Sequence, residues 1–126
     1  WHAGRQKNAE IYRELFAKSG AGDRLILPPA LPRRRHIYNQ FIIRFAGGTA
    51  ARDRVMAALK AASIGHDIYY PVTLPAQECF KALPSFRQSY PESEKAAAQT
   101  LAVPIFPELT REQLADVVAT IVGALP

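Results

Sequence analysis

Residues 36–45 read His36-Ile37-Tyr38-Asn39-Gln40-Phe41-Ile42-Ile43-Arg44-Phe45, and apolar side chains recur in this stretch with a period of two. Such a period predicts a β-strand with one face on the core, because successive side chains of a strand point to opposite sides. We expect Ile37, Phe41, Ile43 and Phe45 on the core face. The opposite face is polar near its start, where His36 and Tyr38 stand. A ligand site is expected there.

Helices are predicted on both sides of this strand. Residues 3–18 contain two apolar i,i+4 pairs, which are typical of an amphipathic helix, and glycines near residue 20 end it; the pairs are formed by Ile11, Tyr12, Leu15 and Phe16. A second helix is predicted over about residues 50–62. Gly65 is expected to stop it by taking the left-handed conformation.

The last helix has the clearest local signal. Thr110 and Gln113 have the spacing of a capping box, and Leu109 and Leu114 occupy the hydrophobic-staple positions. A shorter helix is predicted to begin near residues 91–93, and apolar runs at 25–27 and 101–107, interrupted by prolines, predict edge strands. This alternation of helices and strands predicts an α+β domain with a small mixed or antiparallel sheet covered by helices.

Residues 64–80 concentrate special residue types more than any other segment. A strand beginning near Asp67 should stop by Pro71, because proline cannot donate a ladder hydrogen bond. Tyr69 and Tyr70 would then lie at a strand end, which is a common position for side chains that contact a ligand. The plainer interpretation is that both tyrosines are half-buried aromatics whose hydroxyls reach water.

The composition of the 126 residues predicts one domain and excludes several functions. No segment has the length of a membrane helix and no signal peptide is visible, so a cytoplasmic protein is expected. The net charge of +5 favours an anionic partner, but a nucleic-acid reader should show a broader basic stripe, and we expect no nucleic-acid binding. The run at 33–35 is either a solvated arginine loop or a phosphate contact.

No catalytic or metal-binding motif stands out. The three histidines are far apart and no cluster has the spacing of metal ligands. Gly47-Gly48 lacks the further residues of a phosphate loop, and Cys79 is expected to be a small buried residue. The residues alone therefore predict a polar patch for an anionic ligand, formed by His36, Tyr38, Tyr69 and Tyr70.

Several motifs follow one another in a characteristic order: residues 36–44, Arg52-Asp53, Ile64-Gly65, Tyr69-Tyr70-Pro71-Val72, Gln77, Glu94, Leu101-Ala102-Val103-Pro104 and Pro107-Glu108-Leu109-Thr110. In this order the chain resembles, over nearly its whole length, the carboxy-terminal domain of the DegT/DnrJ/StrS aminotransferases. The resemblance implies the aspartate-aminotransferase fold, known as fold type I. It also implies a homodimeric enzyme that uses pyridoxal phosphate to transfer an amino group from glutamate to a nucleotide-linked keto-sugar, in polysaccharide or deoxysugar biosynthesis.

The resemblance also assigns parts and roles. Residues 1–22 resemble a linking helix and residues 23–126 the small domain, whereas the large cofactor-binding domain, with its Schiff-base lysine, is absent from this chain. We therefore expect no catalytic residue, no bound cofactor and no activity in the chain alone. Substrate contact is implied for Tyr69 and Tyr70, and for the nearby segment with His36, Tyr38 and Asn39.

One position departs from the family. Relatives commonly carry Pro-Leu-His-x-Gln where this chain has Thr73-Leu74-Pro75-Ala76-Gln77, so Pro75 replaces a histidine and stiffens the loop. The preceding Tyr69-Tyr70-Pro71-Val72 is most similar to members that aminate the three-position of a keto-sugar. The alternative is a free-standing, non-catalytic module that binds a sugar nucleotide or docks on a partner through the apolar stripe of the first helix.

Overall fold

A computed structural model describes residues 1–86 and 88–126, and in this part of the chain it contains four α-helices and one three-stranded antiparallel sheet. The α+β class is confirmed, and the sheet is antiparallel throughout. Its strands lie in the order β1-β2-β3. In chain order the elements are α1 (His2–Lys18), β1 (Leu25–Ile26), β2 (Phe41–Phe45), α2 (Gly48–Ala61), α3 (Pro91–Gln99), β3 (Thr100–Val103) and α4 (Arg111–Ala124).

The central strand is β2, and its alternation is the one predicted. Phe41, Ile43 and Phe45 are completely buried, while the residues between them are half-buried. The strand pairs with β1 through Phe45 and Leu25 and with β3 through Phe41 and Val103. The aromatic and β-branched side chains of one face therefore form the middle of the core.

The strand does not extend back to residue 36, and the prediction of its faces is wrong there. Ile37 is 40% exposed, whereas Tyr38 is only 3% exposed and belongs to the core. Tyr38 has a φ of 46°, which lies outside the extended region. Once the backbone leaves the extended conformation, a period of two no longer decides which side a residue faces.

The predicted strand near Asp67 is wrong in extent, since the structure shows a single bridge there. Asp67 pairs with Ala102 of β3 through two backbone hydrogen bonds of 3.2 and 2.8 Å. After it the chain leaves the sheet, and the following residues form only short 3-10 turns at Leu74–Ala76 and Glu78–Phe80. Pro71 and Pro75 have no amide hydrogen, which disfavours strand pairing farther along the segment.

The stop of α2 is made by Ser63 and not by Gly65. Ser63 has a φ of 56°, and Gly65 lies outside the left-handed region. The amide of Ser63 donates to the carbonyl of Lys60 at 3.1 Å and the amide of Ile64 donates to Leu59 at 2.9 Å. These two bonds form a Schellman motif, in which the residue after the cap is left-handed and is usually glycine.

The capping box of α4 is confirmed. The hydroxyl of Thr110 accepts from the amide of Gln113 at 3.2 Å, and the side-chain oxygen of Gln113 accepts from the amide of Thr110 at 2.9 Å. The apolar face of α4 is buried in the core, with Leu114 and Ile121 fully enclosed. None of the helices in the described ranges is long and apolar enough to cross a membrane.

Helix α1 packs on the same core and holds other segments by their backbone carbonyls. Ala9, Tyr12 and Phe16 are core residues, and Ile11 and Leu15 are partly buried against them, so the apolar stripe predicted for docking is covered by the chain itself. Five side chains of α1 donate to carbonyls of distant residues: Arg5 to Ile37, Gln6 to His36, Asn8 to Phe106, Tyr12 to Pro104 and Arg13 to Pro28. The division of the chain into residues 1–22 and 23–126 stays a prediction.

Candidate functional site

A cavity of about 530 Å³ opens beside β3. Four parts of the chain meet around it: helix α1, the end of β3 and the residues after it, the loop that follows α2, and the segment that leads into β2. The lining residues are Arg5, Asn39, Gln40, Gly65, His66, Asp67, Tyr69 and the run 102–106. The cavity therefore contains part of the predicted site together with residues that were not predicted.

The backbone around the cavity is fixed by hydrogen bonds from its neighbours. Asp67 is paired with Ala102 of β3, which holds the loop against the sheet. On the other side, Tyr12 donates its hydroxyl to the carbonyl of Pro104 at 2.7 Å, and Asn8 donates its amide to the carbonyl of Phe106 at 2.8 Å. Rigid backbone presents accessible side chains at fixed positions, as binding sites require.

Three polar side chains of the wall are each held by one hydrogen bond that leaves part of their hydrogen-bonding capacity unused. Arg5 uses its Nε to donate to the carbonyl of Ile37 at 3.0 Å. His66 is bonded through Nδ1 to the carbonyl of Ile64 at 2.9 Å, and because a carbonyl only accepts, Nδ1 carries the hydrogen and Nε2 faces away from this bond. Asp67 accepts the amide hydrogen of Ile68 at 2.8 Å with one carboxylate oxygen.

Of the predicted site residues, the structure brings Asn39 and Tyr69 together in the cavity wall. Tyr70 is 69% exposed and lies outside the lining, with its ring edge-on to that of Tyr69 at a centroid distance of 5.8 Å. His36 is exposed and also lies outside the lining. Its Nδ1 accepts the amide hydrogen of Tyr38 at 2.9 Å.

Tyr38 lies in the core, so its predicted place on an open polar face is wrong. Its hydroxyl accepts a hydrogen bond from Arg13 at 2.9 Å, and its ring is stacked on that of His36 at a centroid distance of 4.1 Å. A tyrosine can be buried when its hydroxyl has a partner, and Arg13 of α1 provides one here. In this arrangement Tyr38 supports the segment before Asn39 from inside.

Four polar residues of the wall were not predicted as site residues: Arg5, Gln40, His66 and Asp67. His66 and Asp67 lie in the unusual stretch at 64–80, so their position was the available signal. Arg5 had no such signal, because it reaches the cavity from a helix that is distant in sequence. Its contribution depends on how α1 packs.

Cys79 and the arginine run lie away from the cavity. Cys79 is exposed, which contradicts the expectation of a buried thiol, because its turn lies on the surface and contributes no buried residue. The arginines at 33–35 are exposed. Within the described ranges, no group of three histidine, cysteine, aspartate or glutamate side chains could hold a metal ion.

The lysines of the chain lie away from the cavity. None of the five lines the cavity. Lys18 and Lys95 are paired with Glu14 and Glu92, and the other three are exposed on the surface.

The fold and its cavity define a class, a small α+β domain with a preformed pocket beside its sheet. Comparison with known proteins gives the family. Residues 1–122 match the DegT/DnrJ/EryC1/StrS aminotransferase family, and the chain belongs to it.

Two curated relatives and two solved structures illustrate the match. The chain is 36% identical to the "Pleiotropic regulatory protein" of Geobacillus stearothermophilus over 121 residues and 34% identical to the UDP-N-acetyl-3-dehydro-alpha-D-glucosamine 3-aminotransferase of Acidithiobacillus ferrooxidans. These matches cover 96% of this chain but only 31% and 30% of the two relatives.

The solved structures agree in fold. DesV of S. venezuelae, crystallised with a ketimine intermediate, superposes with a TM-score of 0.84 at 25% identity, covering 98% of this chain and 31% of DesV. Helicobacter pylori PseC, an aminotransferase of pseudoaminic acid biosynthesis, gives the same TM-score of 0.84 at 11% identity over 98% of this chain and 32% of PseC, a likeness of fold alone. The chain spans about a third of the length of these proteins, as the resemblance implied for a small domain.

Proposed function

We propose that this chain is the small domain of a pyridoxal-phosphate-dependent aminotransferase that transfers an amino group from glutamate to a nucleotide-linked keto-sugar, in polysaccharide or deoxysugar biosynthesis. The family match over residues 1–122 supports aminotransferase chemistry. The printed name of the Acidithiobacillus ferrooxidans relative supports a UDP-linked sugar aminated at the three-position. The share of about 30% that the chain covers in its relatives supports a longer polypeptide.

The role of this chain in that enzyme is to contact the substrate. The observation that supports this role is the cavity beside β3, whose wall contains Asn39 and Tyr69. A tyrosine hydroxyl and a carboxamide both exchange hydrogen bonds with sugar hydroxyls. Tyr70 extends the wall outward as an exposed ring, while His36 and Tyr38 support the backbone next to Asn39.

The remaining machinery belongs to the rest of the enzyme. Pyridoxal phosphate, when bound there, supplies the electron sink for transamination. We place the Schiff-base lysine outside this chain, which makes the chain inactive by itself. We also propose a homodimer in the cytoplasm for the whole protein.

A second candidate is a non-catalytic module that binds a sugar nucleotide or a partner. One specific observation favours it: the relative at 36% identity is named a regulatory protein. The reading frame upstream of Trp1 separates the two candidates. A frame that continues into a lysine-bearing domain supports the enzyme, and an initiation codon close to Trp1 supports the module.

Binding of the substrate class can be tested on the 126-residue chain. In an NMR titration with UDP-N-acetylglucosamine, we expect Tyr69→Phe and Asn39→Ala to weaken binding by roughly fivefold to tenfold, because each removes one hydrogen bond. Tyr90→Phe is the matched control, since Tyr90 is 38% exposed and lies outside the cavity. Unchanged affinity in both cavity variants would remove this wall from the substrate site.

The placement of the catalytic lysine has its own test. The chain is incubated with pyridoxal phosphate, reduced with borohydride and analysed by mass spectrometry for a covalent adduct. We expect only scattered, low-level labelling of exposed lysines. Stoichiometric labelling of one lysine would show that the chain itself holds the cofactor and would contradict the proposal.

A further inference from the structure

One face of helix α1 lies against the segment that follows β3. Gly4, Asn8 and Tyr12 share this face, because residues four apart in a helix lie one above the other. Asn8 donates to the carbonyl of Phe106 at 2.8 Å, and Tyr12 donates to the carbonyl of Pro104 at 2.7 Å. Gly4, one turn before Asn8, extends this face beyond Phe106 along the same segment.

At Gly4 the helix comes closer to this segment than a side chain would allow. A Cβ atom at position 4 would lie 2.7 Å from the Cβ of Pro107 and 3.2 Å from its Cα. Carbon atoms in ordinary contact are about 3.5–4.0 Å apart. Alanine is normally the more stable residue inside a helix, and the close approach to Pro107 accounts for the glycine at this position.

A side chain at position 4 would push the first turn of α1 away from the cavity wall. Phe106 is fixed on this side, because its carbonyl accepts from Asn8 at 2.8 Å and from the amide of Leu109 at 3.3 Å. The helix would therefore have to withdraw by about 1 Å, and the Asn8 bond does not survive such a stretch. Arg5, the next residue of the turn, lines the cavity and would move with it.

We infer that Gly4 is a positioning residue of the candidate site. Its missing side chain lets the first turn of α1 lie against Pro107, and this contact places Arg5 in the cavity wall and sets the spacing between the helix and Phe106. That a substrate occupies the cavity rests on the proposed function, whereas the close approach is a property of the fold. A wall displaced by about 1 Å weakens a binding site, because its hydrogen bonds to the ligand are stretched or lost.

The test is an NMR titration of variants of the isotope-labelled chain with UDP-N-acetylglucosamine. We expect Gly4→Ala to weaken binding by about fivefold to tenfold, because the wall shifts. Gly123→Ala is the matched control, since Gly123 is exposed in α4 and an added Cβ would meet nothing within 4 Å beyond its own helix. It should leave the dissociation constant within about twofold. Its urea midpoint should rise, as alanine in a helix predicts, whereas that of Gly4→Ala should not.

A second substitution separates the contact with Pro107 from any other effect of alanine at position 4. Pro107→Gly removes the Cβ at 2.7 Å and leaves only the Cα at 3.2 Å. When Gly4→Ala is introduced into Pro107→Gly, its cost in affinity should therefore fall to within about twofold. An equal cost in both backgrounds would overturn the inference, as would wild-type affinity in Gly4→Ala. Should Gly4→Ala not fold, recovery of folding in the double variant supports the inference, and its absence overturns it.

The two proposals fail in different ways. Failure of the unaltered chain to bind UDP-N-acetylglucosamine contradicts the proposed function, and NMR without ligand then decides the role of Gly4. The side-chain amide of Asn8 and the Nε–H of Arg5 are hydrogen-bonded and should exchange slowly with water. Their exchange should become faster in Gly4→Ala and slow again in the double variant. Unchanged exchange in Gly4→Ala would overturn the inference even where the unaltered chain binds the ligand.

Discussion

Tyr12 is a core residue whose hydroxyl oxygen reaches the wall of the cavity. Its ring is completely buried beside Phe41, at a centroid distance of 4.9 Å, and its hydroxyl donates to the carbonyl of Pro104 directly after β3. Pro104 is also part of the cavity wall. Burial raises the pKa of the Tyr12 hydroxyl, because the phenolate is poorly solvated inside the protein.

Replacement of Tyr12 by phenylalanine should reduce the free energy of unfolding by about 1–2 kcal/mol, because it leaves the carbonyl of Pro104 without its partner. The measurement is urea denaturation at neutral pH. Tyr70→Phe is the control, since Tyr70 is 69% exposed and should lose almost nothing. Equal stability of Tyr12→Phe and the unaltered chain would show that water replaces the hydroxyl as donor.

The same residue predicts a pH dependence. Because its pKa is higher in the folded state than the usual value near 10, the unfolded chain loses the proton first. The stabilising contribution of Tyr12 is therefore complete below about pH 10 and is lost as the pH rises above it. Tyr12→Phe should fall less steeply in stability between about pH 9 and pH 11. An identical slope in both chains would contradict this assignment.

At the scale of elements, the end of α2 has a residue with a side chain, Ser63, in a backbone conformation that favours glycine. A Schellman motif needs a left-handed residue after the cap, and in this chain it is Ser63 with a φ of 56°. A side chain in this conformation costs free energy that glycine does not. The glycine that sequence analysis favoured for the stop is two residues too late.

Ser63→Gly should therefore raise the free energy of unfolding by about 0.5–1 kcal/mol. The urea midpoint should rise without a change in the slope of the transition. Ala62→Gly is the matched control, because Ala62 has a φ of −82° and gains nothing from glycine. A loss of stability in Ser63→Gly comparable to that in Ala62→Gly would mean that Ser63 is not strained.

Helix α1 shows how one element organises several others. Its side chains hold the carbonyls of residues 28, 36, 37, 104 and 106, which include both segments that flank the cavity. Glu14 accepts a hydrogen bond from Lys18 within α1 and another from Arg111, and the Arg111 bond connects α1 to α4. These two contacts, with the Lys18 bond the larger, lower the pKa of the Glu14 carboxyl.

At the scale of the molecule, burial is unevenly distributed. The core is formed by α1, the sheet, α2 and α4. Between residues 63 and 99, in contrast, none of the described residues is buried, and several large apolar side chains are exposed: Tyr69, Tyr70, Val72, Leu74, Leu83 and Tyr90. This long surface segment contains one wall of the cavity, where Asp67 is paired with Ala102 of β3, whereas few buried apolar contacts hold the residues farther along it.

Native-state hydrogen exchange should reveal this difference. We expect the amides of residues 41–45 to exchange only through global unfolding, because they lie in the middle strand of the buried sheet. Amides between residues 74 and 80 should exchange through local opening, at rates that depend little on the global stability. Equal protection in the two segments would contradict the separation into a rigid core and a weakly held surface segment.

Local signals in the sequence predicted the helices and the central strand well. The capping box of α4 and the alternation of β2 depend on residues within one turn or one strand, so neighbours in sequence are sufficient to specify them. The burial of Tyr38, in contrast, could not be predicted from its neighbours in sequence. Its burial depends on Arg13, whose position next to it follows from the packing of α1.

The sequence by itself determined the α+β class, most of the elements and, through the order of its motifs, the family. These features are carried by residue types at short spacing and by their order, which can be read without coordinates. Only the tertiary structure decided which side chains share the cavity: it joined Asn39 and Tyr69 to Arg5, His66 and Asp67 and placed Tyr38 in the core. The reason is that a site beside a sheet is assembled from distant segments, and their meeting depends on side-chain packing that no local pattern encodes.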